Sequence, residues 1–219
     1  MHIKTTGITL KSTPFRDRTN IIQLLSKDLG IISVIVRGIS KKNLNLMAIC
    51  SPFAISEIVL KKTNSDIYKL KEGSLIDVNL HIRKSLKYLK TASYMIKAIT
   101  SAHFLANSKD MYLLLKIYLK KIDLNPDAIY VSFLLKLLQK SASLHLNTKC
   151  NVCEKEAQLI EGGESLCIDH GSNMAFKFSK EDFKKLFILC FSKSFSLIEN
   201  LEISNILKEK TNFLFKELM

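Results

Sequence analysis

Four side chains able to bind a soft or borderline metal fall within 21 residues: Cys150, Cys153, Cys167 and His170. They form two pairs, Cys150-Asn151-Val152-Cys153 and Cys167-Ile168-Asp169-His170. An i, i+3 spacing lets a tight turn aim both side chains of a pair at one point, and two such knuckles facing each other make a tetrahedral site. Three thiolates and one imidazole suit Zn²⁺, and four protein ligands leave no coordination position for water. The chemistry implied is a structural zinc, one per chain. Gly162-Gly163 between the pairs can turn the chain back so that the knuckles meet. Any one pair reads more plainly as thiols at chance spacing; CxxC followed by CxxH at this distance favours the metal. A redox CxxC would follow a strand and open a helix, and nothing before Cys150 reads that way. His145, five residues before Cys150, is a rival to His170 as fourth ligand.

A second group is electrostatic. The chain carries a net charge of +13, unevenly spread. Residues 1–149 hold 24 Lys/Arg against 9 Asp/Glu, whereas residues 150–219 hold 9 against 11. Such asymmetry implies long-range attraction to a polyanion by the first two thirds of the chain. The plainer reading is a bias towards Lys, Asn and Ile, since only four basic residues are arginines. Three of those, Arg16, Arg18 and Arg37, cluster with Lys41 and Lys42 at predicted turns and are the candidate nucleic-acid contacts. Phe15 and Phe53 are candidate stacking faces for bases, Phe53 reading more readily as core. Lys61-Lys62, Lys120-Lys121 and Lys184-Lys185 read as solvated faces.

The elements that must position these groups change character near residue 78. Before it, short β-branched or apolar stretches cover residues 3–11, 19–25, 30–37, 53–60 and 65–71. Residues 13–18 separate the first two, Asp28-Leu29-Gly30 makes a tight turn, and Gly73 ends the fifth. The dense run at 30–37 suits a strand buried on both faces. Five short antiparallel strands are consistent with a small barrel such as an OB-fold, whose loops bind oligonucleotides; periodicity alone does not separate it from an SH3-like barrel.

From Asn79 the apolar period becomes helical. Helices are predicted over 80–106 and 111–122, then from an Asn125-Pro126 start towards Leu144. After the knuckles, Ser179-Lys180-Glu181-Asp182 resembles a capping box opening a helix over 183–191, and a last helix covers 203–218. The predicted architecture is α+β: an OB-fold DNA-binding domain over 1–78, then a helical domain over 79–219 with a zinc-finger-like module at about 146–175 embedded in it.

The remaining features bound the function by exclusion. No run of about 18 apolar residues suggests a membrane span, and the first residues lack the apolar region of a signal peptide. Cys50 and Cys190 fall outside the knuckles and read as buried thiols of a reduced, cytoplasmic protein. His2, His81, His103 and His145 are scattered, no acidic dyad is placed for acid–base work, and no Gly-rich phosphate loop occurs. A zinc hydrolase needs an open metal position and a nearby base, so no catalytic residues are expected.

The order of parts resembles the RecO family of bacterial recombination mediators. Ser26-Lys27-Asp28-Leu29-Gly30 through Ile35-Val36-Arg37-Gly38 resembles that family's T-E-x-x-G-x-x-x-x-x-A-K-G-A-R segment, and Ser51-Pro52-Phe53 its Q-P-F. Phe133-Leu134-Leu135-Lys136-Leu137-Leu138 resembles the F-x-x-x-L-L before the zinc module, and Ala175–Ser179 the segment after it. The chain departs from the pattern at Ser40, where Arg is frequent, at Ser141-Ala142, where Gly follows the leucines, and at His170, where Cys is usual. The resemblance implies a non-enzymatic, nucleoid-associated mediator that binds single- and double-stranded DNA and anneals complementary strands. With RecR it would help load RecA on DNA covered by single-strand-binding protein. The alternative is a zinc-stapled nucleic-acid adaptor acting on RNA or in transcription.

Overall fold

The computed structural model describes residues 2–102 and 107–219. The expected helix over 80–106 therefore has its last four residues, His103 included, outside the described part. The chain divides into two compact units, one of residues 2–102 with 107–120 and one of residues 121–219.

The first unit is built on five strands: β1 (His2–Arg16), β2 (Thr19–Ser26), β3 (Gly30–Arg37), β4 (Ile55–Lys61) and β5 (Ile67–Asp77). A short helix, α1 (Leu44–Ile49), lies between β3 and β4, with Asn43 accepting the Leu46 amide as its cap. The strands close in the order β1-β2-β3-β5-β4, with β4 returning to β1. The expectation of an all-antiparallel barrel is corrected at one seam, because β3 and β5 pair in parallel, Ser33 with Ile67 and Ile35 with Lys69. After β3 the chain crosses one end of the barrel through α1. The β4–β5 hairpin then brings β5 alongside β3 in the same direction. This order is that of an OB-like barrel, a choice that strand periodicity could not make.

Alternation decides the core. Ile22 and Leu24 of β2, Val34 and Val36 of β3, and Ile58 and Leu60 of β4 form one buried cluster with Cys50. In β3 only Val34 and Val36 are buried, and Ile31, Ile32 and Ile35 are half-buried. The strand is thus buried on one face, not on both as its apolar density suggests. β1 runs through Pro14 to Arg16 instead of ending at Lys11, and its register with β2 shifts at Thr9/Lys11 and at Pro14/Arg16. Its pairing with β4 stops at Ile8, so Pro14, which has no N–H to give, sits where β1 has a single neighbour. β5 likewise continues through Gly73, where a Cβ would come within 2.8 Å of Ile49 Cδ1. The residue type reflects close packing of α1 on β5, not a strand end. Residues 51–54 form a turn ahead of β4, so the fourth strand starts at Ile55 and not at Phe53.

Strands give way to helices beside the boundary expected after residue 78, while the compact unit runs on to Lys120. A 3-10 turn (Leu80–Lys84) and an extended Ser85 precede α2 (Leu86–Ala102), and α3 (Ser108–Lys120) follows. Ala92, Met95 and Ile99 are buried, as their spacing predicts. α3 contacts β1, β2 and β3, and the Ser108 hydroxyl donates to Lys27 O at the β2–β3 turn.

The second unit centres on α4 (Pro126–Lys140). Asn125 caps it by accepting the Ala128 amide, Pro126 fills its first turn, and Ile129–Leu135 are buried. β6 (Leu159–Glu161), β7 (Glu164–Leu166) and β8 (Phe176–Lys177) form a small sheet in the order β7-β6-β8. α5 (Lys180–Phe191), α6 (Ser196–Glu199) and α7 (Asn205–Leu218) complete the unit, and all three pack on α4. Ser179 accepts the Asp182 amide at 3.0 Å and Ser204 the Leu207 amide at 3.1 Å, so α5 and α7 begin at side-chain caps.

Candidate metal centre and basic turn

Each knuckle is a hydrogen-bonded turn. Glu154 N donates to Cys150 O at 3.0 Å and Cys150 N to Lys155 O at 2.8 Å, closing the first. His170 N and Gly171 N both donate to Cys167 O, closing the second. The β6–β7 hairpin brings them together by turning at Gly162-Gly163, with φ of +56° and +85°. Positive φ at both central residues is the type I′ geometry that matches strand twist.

The result is a cluster in which one ligand atom each from Cys150, Cys153, Cys167 and His170 lies within 4.8 Å of the others. Cys153 Sγ is 3.6 Å from Cys167 Sγ. His170 Nδ1 is 3.3 Å from Cys167 Sγ and 3.7 Å from Cys150 Sγ. Ligands held tetrahedrally at Zn–S of about 2.3 Å and Zn–N of about 2.0 Å stand roughly 3.5–3.8 Å apart. The four side chains could therefore hold a metal ion, with Nδ1 as the imidazole ligand atom. His145 donates its backbone N–H to Gly163 O and is not in the cluster.

The electrostatics of the site suit a cation. Burial pushes the Cys150 thiol up, but the N–H groups of Val152, Cys167 and Cys153 and the His170 ring outweigh it and bring it down to about 6. Cys153 behaves oppositely. The Lys155 N–H lowers it, yet burial together with the Cys167 and Cys150 thiols leaves it raised. Negative charge thus concentrates on one sulfur and is resisted at its neighbour, a conflict that a bound dication relieves. Lys155 and Asp169, one from each knuckle, pair at 2.7 Å across the outside.

The basic turn is assembled by strand register. Arg16 pairs with Thr19 across β1–β2, and Thr19 pairs with Arg37 across β2–β3. Directly opposed residues share a face of a sheet, so Arg16 and Arg37 flank Thr19. Arg18 occupies the tip of the β1–β2 turn at φ +53°, and its carbonyl accepts the Ile39 amide at 3.0 Å. Phe15 is 52% exposed, and the Arg16 guanidinium stands 5.3 Å from its ring centre. A shallow groove is lined by Phe15, Arg16, Asp17, Thr19, Ile35 and Arg37.

Lys41 and Lys42 lie exposed in the following turn, before α1, and do not line that groove. Phe53 is buried in the core at 6% exposure, so it offers no stacking face. Thr19 and Ile35 escaped the sequence reading, since what places them in the groove is cross-strand register, which appears only once the strands are aligned.

The fold and site define a class: an OB-like barrel with a basic turn, continued by helices and a four-ligand knuckle module. Residues 1–79 match the family model "Recombination protein O N terminal". The chain is 24% identical to the "DNA repair protein RecO" of Chlamydia pneumoniae, in an alignment spanning 100% of this chain and 89% of that protein. It is 26% identical to the protein of the same description from Chlamydia muridarum, covering 89% and 86%. With that of Caldicellulosiruptor bescii the identity is 28%, over 70% of this chain and 64% of the relative's length. These matches make residues 1–79 similar to the N-terminal part of recombination protein O, and the chain as a whole similar to proteins described as DNA repair protein RecO. Among the described residues no helix is long and apolar enough to cross a membrane.

Proposed function

We propose that this protein acts in DNA repair and recombination as a non-enzymatic mediator in the cytoplasm. It binds single- and double-stranded DNA and anneals complementary strands. With RecR it helps load RecA on single strands covered by single-strand-binding protein. The observation that carries the reading is the groove of Arg16, Thr19 and Arg37 on one face of an OB-like barrel, within the residues that match the N-terminal model of recombination protein O. Arginine forks phosphate oxygens bidentately, and each neutralised phosphate releases condensed counterions. Two strands whose mutual repulsion is screened on one basic surface can find their pairing register, which requires no bond-making residue. Phe15 supplies a stacking surface beside the guanidinium groups.

Cys150, Cys153, Cys167 and His170 are assigned to one structural zinc. Bound there, it would supply folding energy to a module whose sheet is small. The side chains themselves provide the donor set, three sulfurs and one imidazole nitrogen.

The test is annealing of complementary strands pre-coated with single-strand-binding protein, with and without this protein. Acceleration over the coated strands alone is the expected result. No acceleration, together with preferential binding of RNA, overturns the reading in favour of an RNA-directed adaptor.

A further inference from the structure

The barrel is not the most basic part of the first unit. Residues 79–120 hold eight Lys/Arg against a single carboxylate, Asp110, whereas residues 1–78 hold 12 against 6. α2 contains no Asp or Glu. Its lysines are one-sided: Lys87, Lys90 and Lys97 are exposed, while Thr91, Ala92, Met95, Ala98 and Ile99 face the core. At 100° per residue Lys87, Lys90, Tyr94 and Lys97 fall within an arc of about 80°, and at 1.5 Å per residue they span about 15 Å. Tyr94 is 42% exposed in the middle of this stripe, with Lys97 Nζ 5.7 Å from its ring centre. With no acid in α2, the row is not explained by i, i+4 ion pairs within the helix.

We infer that this face of α2 is a second strand-binding surface, taking the phosphate backbone of a nucleic-acid strand while the barrel groove holds another. The inference rests on the reading of the barrel turn as a strand contact. Charge complementarity selects the occupant. The three lysines can each meet a phosphate along one strand, and Tyr94 lies where a base can stack. An anionic bilayer is the poorer fit, because the exposed residues among the lysines on this face are Ser93, Tyr94 and Ser101 with a single aliphatic side chain, Leu86, at the helix start, and the rest of α2's apolar side is already committed to the core. The two surfaces belong to different elements of one unit. α3, on which α2 packs, begins at the β2–β3 turn, and the arginines stand at the other end of β2. A protein with two such surfaces can hold both partners of an annealing reaction on one chain.

The experiment counts strands per chain at low salt, using oligothymidylate of about twelve residues, within the site size of one barrel. Donor- and acceptor-labelled oligonucleotides also report co-binding by energy transfer. The parent is expected to bind two. The variant Lys87→Gln/Lys90→Gln/Lys97→Gln should bind one, lose the energy transfer and keep the remaining affinity within about twofold; its salt slope for the lost site disappears, roughly 0.7 per phosphate contact. The matching Lys→Arg triple should behave as the parent, and unchanged circular dichroism excludes misfolding. A parent that binds only one strand, or a Gln triple that still binds two, overturns the inference. If Arg16→Ala/Arg37→Ala leaves two strands bound while the Gln triple leaves one, the barrel reading fails and the α2 face stands. Should the Gln triple lose binding to phosphatidylserine vesicles and keep both strands, the face is a lipid surface and the inference is wrong.

Discussion

Cys153 Sγ stands 3.6 Å from Cys167 Sγ, although they are fourteen positions apart in the sequence with a hairpin between them. Each comes from a different knuckle, so this contact closes the site. Two sulfurs at van der Waals distance without a bond have the spacing of one edge of a coordination tetrahedron. The purified protein is expected to carry one equivalent of metal, and Cys153→Ser to remove it and to lower Tm by about 5–10 °C for a chain of this size. DNA affinity should change little. A metal-free parent, or a variant melting with the parent, would remove the structural-zinc assignment.

Gly163 is the second point on which the site depends. Its φ is +85°, and a Cβ there would lie 2.2 Å from Ser143 O, a backbone atom that cannot swing aside. Gly163→Ala should destabilise the protein by about 2–3 kcal/mol and weaken metal retention. At Gly162 no atom lies within 4 Å of where a Cβ would stand, and its φ suits Asn. Gly162→Asn is expected to be close to neutral. Equal effects of the two substitutions in urea titrations would show that the hairpin does not depend on the close approach at Gly163.

The two cysteines outside the knuckles set an alkaline limit. Burial pushes Cys50 and Cys190 up to about 11, from an ordinary value near 9. Between those values the folded state holds protons that the unfolded chain has released. Stability from these thiols is therefore whole below pH 9 and falls as pH rises towards 11. Cys50→Ala/Cys190→Ala should flatten the loss between pH 8.5 and 10.5 by on the order of 2 kcal/mol per thiol. Urea midpoints of parent and variant at both pH values check this, the knuckle thiols cancelling in the comparison. Parallel declines would show that neither thiol titrates as described.

What the sequence revealed and what it hid follow from the range of the interactions involved. The knuckles were legible because ligand spacing is local: i, i+3 pairs and a Gly-Gly turn carry their geometry with them. The caps at Asn125 and Ser179 were legible for the same reason. The β3–β5 seam was not, because parallel pairing leaves no signature in either strand and depends on α1 returning the chain across the barrel end. Pro14 and Gly73 read as strand breaks, yet one sits beside a missing neighbour and the other beneath Ile49, both tertiary circumstances. The four-residue α6 has no period to detect. Of the basic residues, the arginines were recognisable by type and position at turns, but their shared face with Thr19 is a fact of register. The α2 lysines have a clear helical spacing; among many other lysines, their significance shows only when the opposite face is seen to be core.

The register of Arg16, Thr19 and Arg37 leads to the last prediction. Because Arg16 and Arg37 flank one residue on one face, a single backbone can meet both, and their removal together should exceed what either does alone. Arg16→Ala/Arg37→Ala is expected to weaken binding of oligonucleotides to the barrel site and to lower the slope of log affinity against log salt by about 1–2 units. Lys41→Ala/Lys42→Ala, on the neighbouring turn and outside the groove, should have a smaller effect of the same kind. Metal content and Tm should not change, since all four side chains are exposed. Lys184→Ala/Lys185→Ala is the control. It lies in the net-negative third of the chain, and Lys185 is engaged by Glu181 at 2.8 Å. If that control weakens binding as much as the arginine pair does, the barrel turn is not a strand contact, and the second unit must carry the DNA.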